Sequence, residues 1–113
     1  MKRYLVDSAA IRQNLETLKK RAGKARLFSV VKGNGYGLGL VPLAAICRDA
    51  GVDTFCVTEV SDAKQLRDAG FTQDILMIRP TCDVDEVHQL LDLSVILTVS
   101  SPDDAAVLNG IAT

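Results

Sequence analysis

Ser29-Val30-Val31-Lys32-Gly33-Asn34-Gly35-Tyr36-Gly37-Leu38-Gly39 is the stretch on which the reading of this chain turns. An apolar run, Leu27 to Val31, stops at a lysine, and glycines follow at positions 33, 35, 37 and 39. Val30 and Val31 are β-branched, so the run predicts a short buried strand. Lys32 then stands at the C-terminal end of that strand. In α/β proteins this end faces the crevice or barrel mouth where chemistry is placed. Partial burial lowers an amine's pKa by disfavouring the ammonium form, and a neutral amine can attack a carbonyl to form a Schiff base. The glycines, without Cβ, let backbone approach a ligand closely or adopt positive φ.

Taken alone, a lysine behind a strand is a solvated strand end and a Gly-rich segment is a loop; a motif by itself is only a hypothesis. Two familiar phosphate-binding patterns are excluded. A P-loop needs Gly-Lys-[Ser/Thr] after its glycines, whereas Lys32 precedes them. G-x-G-x-x-G fails in every register, because Leu38, Leu40 and Pro42 stand where the third glycine is required.

Working outward, Asp7 or Ser8 can cap a helix to about Ala22 with Ile11, Leu15, Leu18 and Ala22 on one stripe, and Gly23 suits its stop. Beyond the glycine loop, Leu40 to Ala50 predicts a helix with Leu40, Leu43, Ala44 and Cys47 inward, ending at Gly51. Thr54 to Thr58 predicts a strand, then Ser61 caps a helix through Ala69 that stops at Gly70. Ile75-Leu76-Met77-Ile78 predicts a third strand, broken by Pro80. Asp83 followed by Glu86 is a capping-box-like start for a helix with Val84, Val87, Leu90 and Leu91 inward. Val95 to Val99 predicts a fourth strand. Ser101-Pro102-Asp103-Asp104 combines a cap, a first-turn proline and acids, and so opens a helix to Asn109 or Gly110.

The order is a leading helix and then βα four times, with strands apolar on both faces as buried parallel strands are. Right-handed crossovers follow. Four units make the N-terminal half of a (β/α)8 TIM-like barrel, an α/β architecture that takes about 250 residues when complete.

The chain has 113 residues, enough for one modest core, with 48% hydrophobic and 24% charged residues, an ordinary globular balance. A net charge of −1 gives no basis for nucleic acid or an anionic membrane as partner. No apolar stretch reaches the roughly 18 residues needed to span a bilayer. The start, Met1 to Asp7, lacks the apolar core of a signal peptide, so a cytoplasmic location is expected. Cys47, Cys56 and Cys82 are widely spaced and His88 is the only histidine, so no metal site is expected. Cys47 and Cys56 sit among apolar neighbours and read as buried reduced thiols. His88 falls on a polar helix face and is assigned no role.

The segment Val30-Val31-Lys32-Gly33-Asn34-Gly35-Tyr36-Gly37-Leu38-Gly39 closely resembles the signature of the alanine racemase family, pyridoxal-phosphate enzymes with an N-terminal (β/α)8 barrel and a C-terminal β domain. The Val-Val-Lys, the Asn and the Tyr-Gly-x-Gly frame match. The family usually carries alanine where Gly33 and Gly35 stand and histidine where Leu38 stands. The resemblance extends along nearly the whole chain, through Asn14 and Leu18 of the leading helix and Asp62-Ala63-x-x-Leu66-Arg67-x-x-Gly70. These last residues support the fold and not the site.

The resemblance implies that Lys32 forms the Schiff base with pyridoxal 5'-phosphate and is the catalytic residue. Tyr36 would donate its hydroxyl to the cofactor phosphate, and Val30 and Ile78 would supply apolar walls. The implied reaction interconverts L- and D-alanine, with Lys32 as acid/base on one face of the substrate. In this family the opposite face is served by a tyrosine of the C-terminal domain, donated by the partner subunit of a homodimer. Residues 1–113 therefore read as an incomplete N-terminal part of the barrel domain, inactive alone and open to self-association through its exposed sheet edges. Two alternatives stay open: a non-catalytic cofactor-binding or interaction module, and a racemase for serine or another small amino acid.

Overall fold

The structure, a computed structural model, describes residues 8–31 and 39–112. It opens with α1 (Ser8–Ala22) and β1 (Phe28–Val30), followed by α2 (Leu40–Asp49), β2 (Thr54–Val57) and α3 (Val60–Asp68). Then come β3 (Asp74–Met77), α4 (Val84–Asp92) and α5 (Pro102–Ala112). The predicted cap at Asp7 lies outside the described residues. The strands form a parallel sheet in the order β1-β2-β3, with Phe28 level with Thr54 and Thr54 level with Asp74. Sequential order, parallel pairing and an intervening helix are the repeat of a (β/α)8 barrel.

The predicted fourth strand is present as a single parallel bridge, Leu76 to Ile96. Ile96 N–H donates to Ile75 O (2.8 Å) and Met77 N–H donates to Ile96 O (2.9 Å). The next ladder position belongs to a side chain, since Thr98 Oγ1 donates to Met77 O at 2.6 Å. A threonine hydroxyl that takes a neighbouring carbonyl competes with the backbone for it, and here it ends the ladder.

Alternation along the strands separates two faces. Val31, Phe55, Val57, Ile75 and Met77 are fully buried, and with Leu40, Ala44, Leu66 and Leu90 they form the core between sheet and helices. On the other face Phe28, Ile78 and Ile96 are exposed at 46%, 36% and 48%. The expectation that the strands are buried on both faces holds for β2, buried at all four positions, but not for β1 and β3, which are partly exposed on the face away from the helices. A doubly wound sheet would cover both faces; among the described residues the helices lie on one face, as in an arc of barrel wall whose inner surface is covered only at β2.

Three helices stop in the same way. After α2, Gly51 N–H donates to Arg48 O and Val52 N–H to Cys47 O; after α3, Gly70 and Phe71 donate to Arg67 O and Leu66 O. After α4, Ser94 and Val95 donate to Leu91 O and Leu90 O. This is the Schellman pattern, with the residue behind it (Val52, Phe71, Val95) buried each time. The pattern needs positive φ, supplied by Gly51 (93°) and Gly70 (88°), but by Ser94 (56°) in the third case. A left-handed non-glycine residue costs about 1–2 kcal/mol, partly offset by the restriction a side chain imposes on the unfolded chain. Ser94→Gly is therefore expected to raise stability by about 0.5–1 kcal/mol, measured as a higher urea midpoint at constant m-value.

Several local expectations are corrected. Helix α3 begins at Val60 with Glu59 as its cap residue, so Ser61 lies inside the helix instead of capping it. Asp62 and Ala63 both donate to Glu59 O, and Val60 packs against the core. At α4, Asp83 Oδ1 does accept from Glu86 N–H (2.9 Å), but the Glu86 carboxylate turns away from the cap. Leu18, Val84 and Leu91, placed inward by periodicity, are exposed at 53%, 53% and 39%. The core takes narrower stripes than the sequence offers, because each helix is gripped only between its neighbours and one sheet face. Helix α5 runs on through Gly110 to Ala112. Cys47 and Cys56 are buried free thiols, and burial pushes the Cys56 thiol up from its ordinary value.

Candidate active site at the open end of the sheet

Lys32 and Tyr36, with Gly33, Asn34, Gly35, Gly37 and Leu38, lie outside the described residues. The flanks on both sides are described. Val31 is fully buried and its N–H donates to Cys56 O at 3.0 Å, so the β1 ladder runs to the residue before Lys32. Gly39 resumes the chain at φ 93° as the residue before α2. A Cβ there would lie 3.3 Å from two ring carbons of Pro42, so this return to the helix requires glycine.

Val30 and Ile78 lie on the same bare face, two strands apart, but at different levels. Val30 is level with Cys56 and Leu76, and Ile78 stands one repeat beyond Leu76, closer to the open end. Ile78 N–H donates to Val57 O (3.0 Å), the last ladder bond between β2 and β3. Val30 is half-buried and Ile78 exposed, so together they offer a stepped apolar wall.

A polar cluster that sequence reasoning missed borders this wall. Arg79 Nε donates to Thr58 O at 3.0 Å, just past β2. Arg79 Nη1 and Nη2 donate to Glu86 Oε1 (3.4 Å) and Oε2 (3.1 Å) in the first turn of α4. Thr81 Oγ1 also donates to Glu86 Oε1 (2.8 Å), and Glu59 Oε2 is 3.8 Å from Arg79 Nη2. The Arg79 hydrogen bonds, and then that from Thr81, hold the Glu86 carboxyl below its ordinary value; the same pairing raises Arg79. Asp62, in the first turn of α3, is pushed up by burial and then by Glu59. The signal was available, since a cation directly behind an apolar strand singles out Arg79 after Ile78 as it does Lys32 after Val31. At the same rim the Cys82 thiol is raised, first by burial and then by Asp104, whose carboxylate also accepts from Ser100 Oγ.

The opposite, N-terminal end of the sheet has a different character. Arg26 Nη2 donates to Thr54 Oγ1 (2.7 Å) and Asp53 Oδ1 (3.2 Å), and the Arg26 bond leads in lowering Asp53. A cleft of about 260 Å³ bounded by Lys19, Arg26, Leu27 and Asp53 lies here, and neither Val30 nor Ile78 lines it. Among the described residues no three His, Cys, Asp or Glu side chains cluster as metal ligands. No helix among them is long and apolar enough to cross a membrane.

Comparison with known proteins gives the family. The family model "Alanine racemase, N-terminal domain" matches residues 6–113. Alanine racemase of Pediococcus pentosaceus is 38% identical over 98 residues, covering 86% of this chain and 26% of that protein. That of Desulforamulus reducens is 36% identical over 108 residues, covering 95% and 29%. Among solved structures, alanine racemase from Corynebacterium glutamicum superimposes with a TM-score of 0.80 at 37% identity, covering 91% of this chain and 30% of that one. The chain thus spans under a third of the length of the relatives it matches.

Proposed function

The chain belongs to the alanine racemase family through its N-terminal domain, and from that premise we propose that its parent protein interconverts L- and D-alanine with pyridoxal phosphate held by Lys32. The observation that carries this reading is the position of Val31, buried and still hydrogen-bonded within the sheet at its C-terminal end, with Lys32 next in sequence. A barrel places its chemistry at that end.

The described residues fit the cofactor where they can be compared with it. Val30 and Ile78 present apolar surface on the bare face near the open end, which suits the flank of a planar aromatic ring. Lys32 would hold the group through its amine, and Tyr36 would hydrogen-bond its phosphate. When bound, the cofactor supplies an electron sink for the carbanion at the substrate Cα. Lys32 Nζ takes the Cα proton from one enantiomer as a neutral amine and returns a proton to Cα as an ammonium in the reverse direction. The base on the opposite face, and with it the homodimer that would supply it, lies in the remainder of the parent protein. A cytoplasmic location accords with the free thiols Cys47, Cys56 and Cys82.

The test is borohydride reduction of the full-length parent loaded with pyridoxal phosphate, followed by mass mapping. The label is expected on the peptide carrying Lys32. A label spread evenly over surface lysines would overturn the assignment. The 113-residue chain alone is expected to turn over no alanine and to self-associate through the bare face that carries Phe28, Ile78 and Ile96. Sedimentation coefficients should therefore rise with concentration; a monodisperse monomer at high concentration would defeat the self-association part.

A further inference from the structure

We propose that Arg79 is a positioning residue for the site, acting with Glu86 to fix the ends of β2 and β3 where the apolar wall meets the cofactor. This rests on the function proposed above. One guanidinium joins three elements at the open end: the chain leaving β2, through Thr58 O; the chain leaving β3, where Arg79 itself sits; and the first turn of α4, through Glu86. Thr81 fastens the loop between β3 and α4 to the same carboxylate. Ile78 is thus held on both sides, by its own N–H to Val57 O and by the clamp on the following residue. The planar fork of arginine can serve a carbonyl and both carboxylate oxygens at once, whereas a lysine carries its donors on a single atom.

The fold contains its own control. Arg67 is tied comparably, to the carbonyls of Leu93, Phe71, Gln73 and Ser94, but it binds loops at the opposite, N-terminal end of the sheet. Loss of either arginine loosens the barrel wall, yet only loss of Arg79 shifts Ile78. Because a displacement of about 1 Å near reacting atoms can cost on the order of 100-fold, even a modest shift is measurable.

The experiment uses the full-length parent with Arg79→Lys, Arg79→Ala, Glu86→Gln, Arg79→Ala/Glu86→Gln and, as control, Arg67→Lys. Three quantities are read: the dissociation constant for pyridoxal phosphate by equilibrium dialysis, the visible circular dichroism of the bound cofactor, and KM and kcat for alanine. Arg79→Ala is expected to weaken cofactor binding and lower kcat/KM by about 10- to 100-fold, with an altered visible band. Arg79→Lys should recover only part of this loss. Glu86→Gln should show the same kind of defect, and the double variant should be little worse than Arg79→Ala. Arg67→Lys should lower Tm and leave all three readouts near wild type. The proposal is overturned if the Arg79 and Glu86 variants change Tm alone, as the Arg67 control does. Should Arg79→Ala not fold, Arg79→Lys and Glu86→Gln decide the matter by the same readouts. A wild-type parent that binds no pyridoxal phosphate would instead overturn the proposed function, and the two failures are distinct.

Discussion

Replacing Lys32 with alanine in the full-length parent is expected to lower alanine racemisation by at least about 10³-fold and to abolish borohydride-fixed labelling of the peptide that carries it. The size follows from two losses at one atom. Positioned acid–base catalysis contributes about 10²–10⁴-fold, and removing the amine also removes the covalent tether of the cofactor. Because Val31 stays buried in the sheet by its own side chain and its N–H bond to Cys56 O, the substitution leaves the strand end in place. Thermal stability without cofactor should therefore stay near wild type while activity collapses. Added primary amine should restore part of the rate by replacing the lost base. A Lys32→Ala protein that keeps more than a tenth of its activity would transfer the chemistry to another lysine.

Arg67→Ala should lower stability by about 3 kcal/mol without touching the open end of the sheet. Arg67 makes four hydrogen bonds to main-chain carbonyls: Gln73 O at 2.7 Å, Leu93 O at 2.8 Å, Phe71 O at 2.9 Å and Ser94 O at 3.3 Å. Hydrogen bonds from a charged donor are each worth about 1.5–3 kcal/mol, but the Ser94 bond is exposed and water can reach part of the vacated space, so the sum is discounted. Against a total of about 5–15 kcal/mol for a whole domain, such a loss dominates in a chain whose core has one covered face. Arg67→Lys should recover less than half, because one ammonium cannot span carbonyls on two separate loops. Urea unfolding is the measurement, and a midpoint within error of wild type would mean that water replaces the guanidinium at little cost.

The sequence of this chain was informative wherever one local rule had a single outcome. Glycine at 51 and 70 ended helices because the Schellman turn demands positive φ, and both ends are found there. Asp83 and Ser101 capped α4 and α5 because a short oxygen-bearing side chain reaches the free N–H groups of a first turn. The β-branched and apolar runs at 27–31, 54–58 and 75–78 became the parallel strands, and the signature around Lys32 marked the family.

Tertiary structure alone decided the remainder, because it depends on what a side chain meets across the fold. Leu18, Val84 and Leu91 satisfy helical periodicity, yet the neighbouring elements leave them exposed. Ser61 has the chemistry of a cap, but the packing of Val60 starts α3 earlier, at Val60 with Glu59 before it. The fourth strand has strand composition, but Thr98 takes the Met77 carbonyl with its hydroxyl and stops the ladder. Arg67 and Arg79 are both arginines near the end of an element, Arg67 in the last turn of α3 and Arg79 just behind β3. Only the fold sends one to the closed end, where it ties loops together, and the other to the open end, where it borders the candidate site. Spacing along the chain specifies turns, caps and strands through nearest neighbours; the partners of a long, charged side chain 7 to 27 residues away are set by how the strands and helices come together.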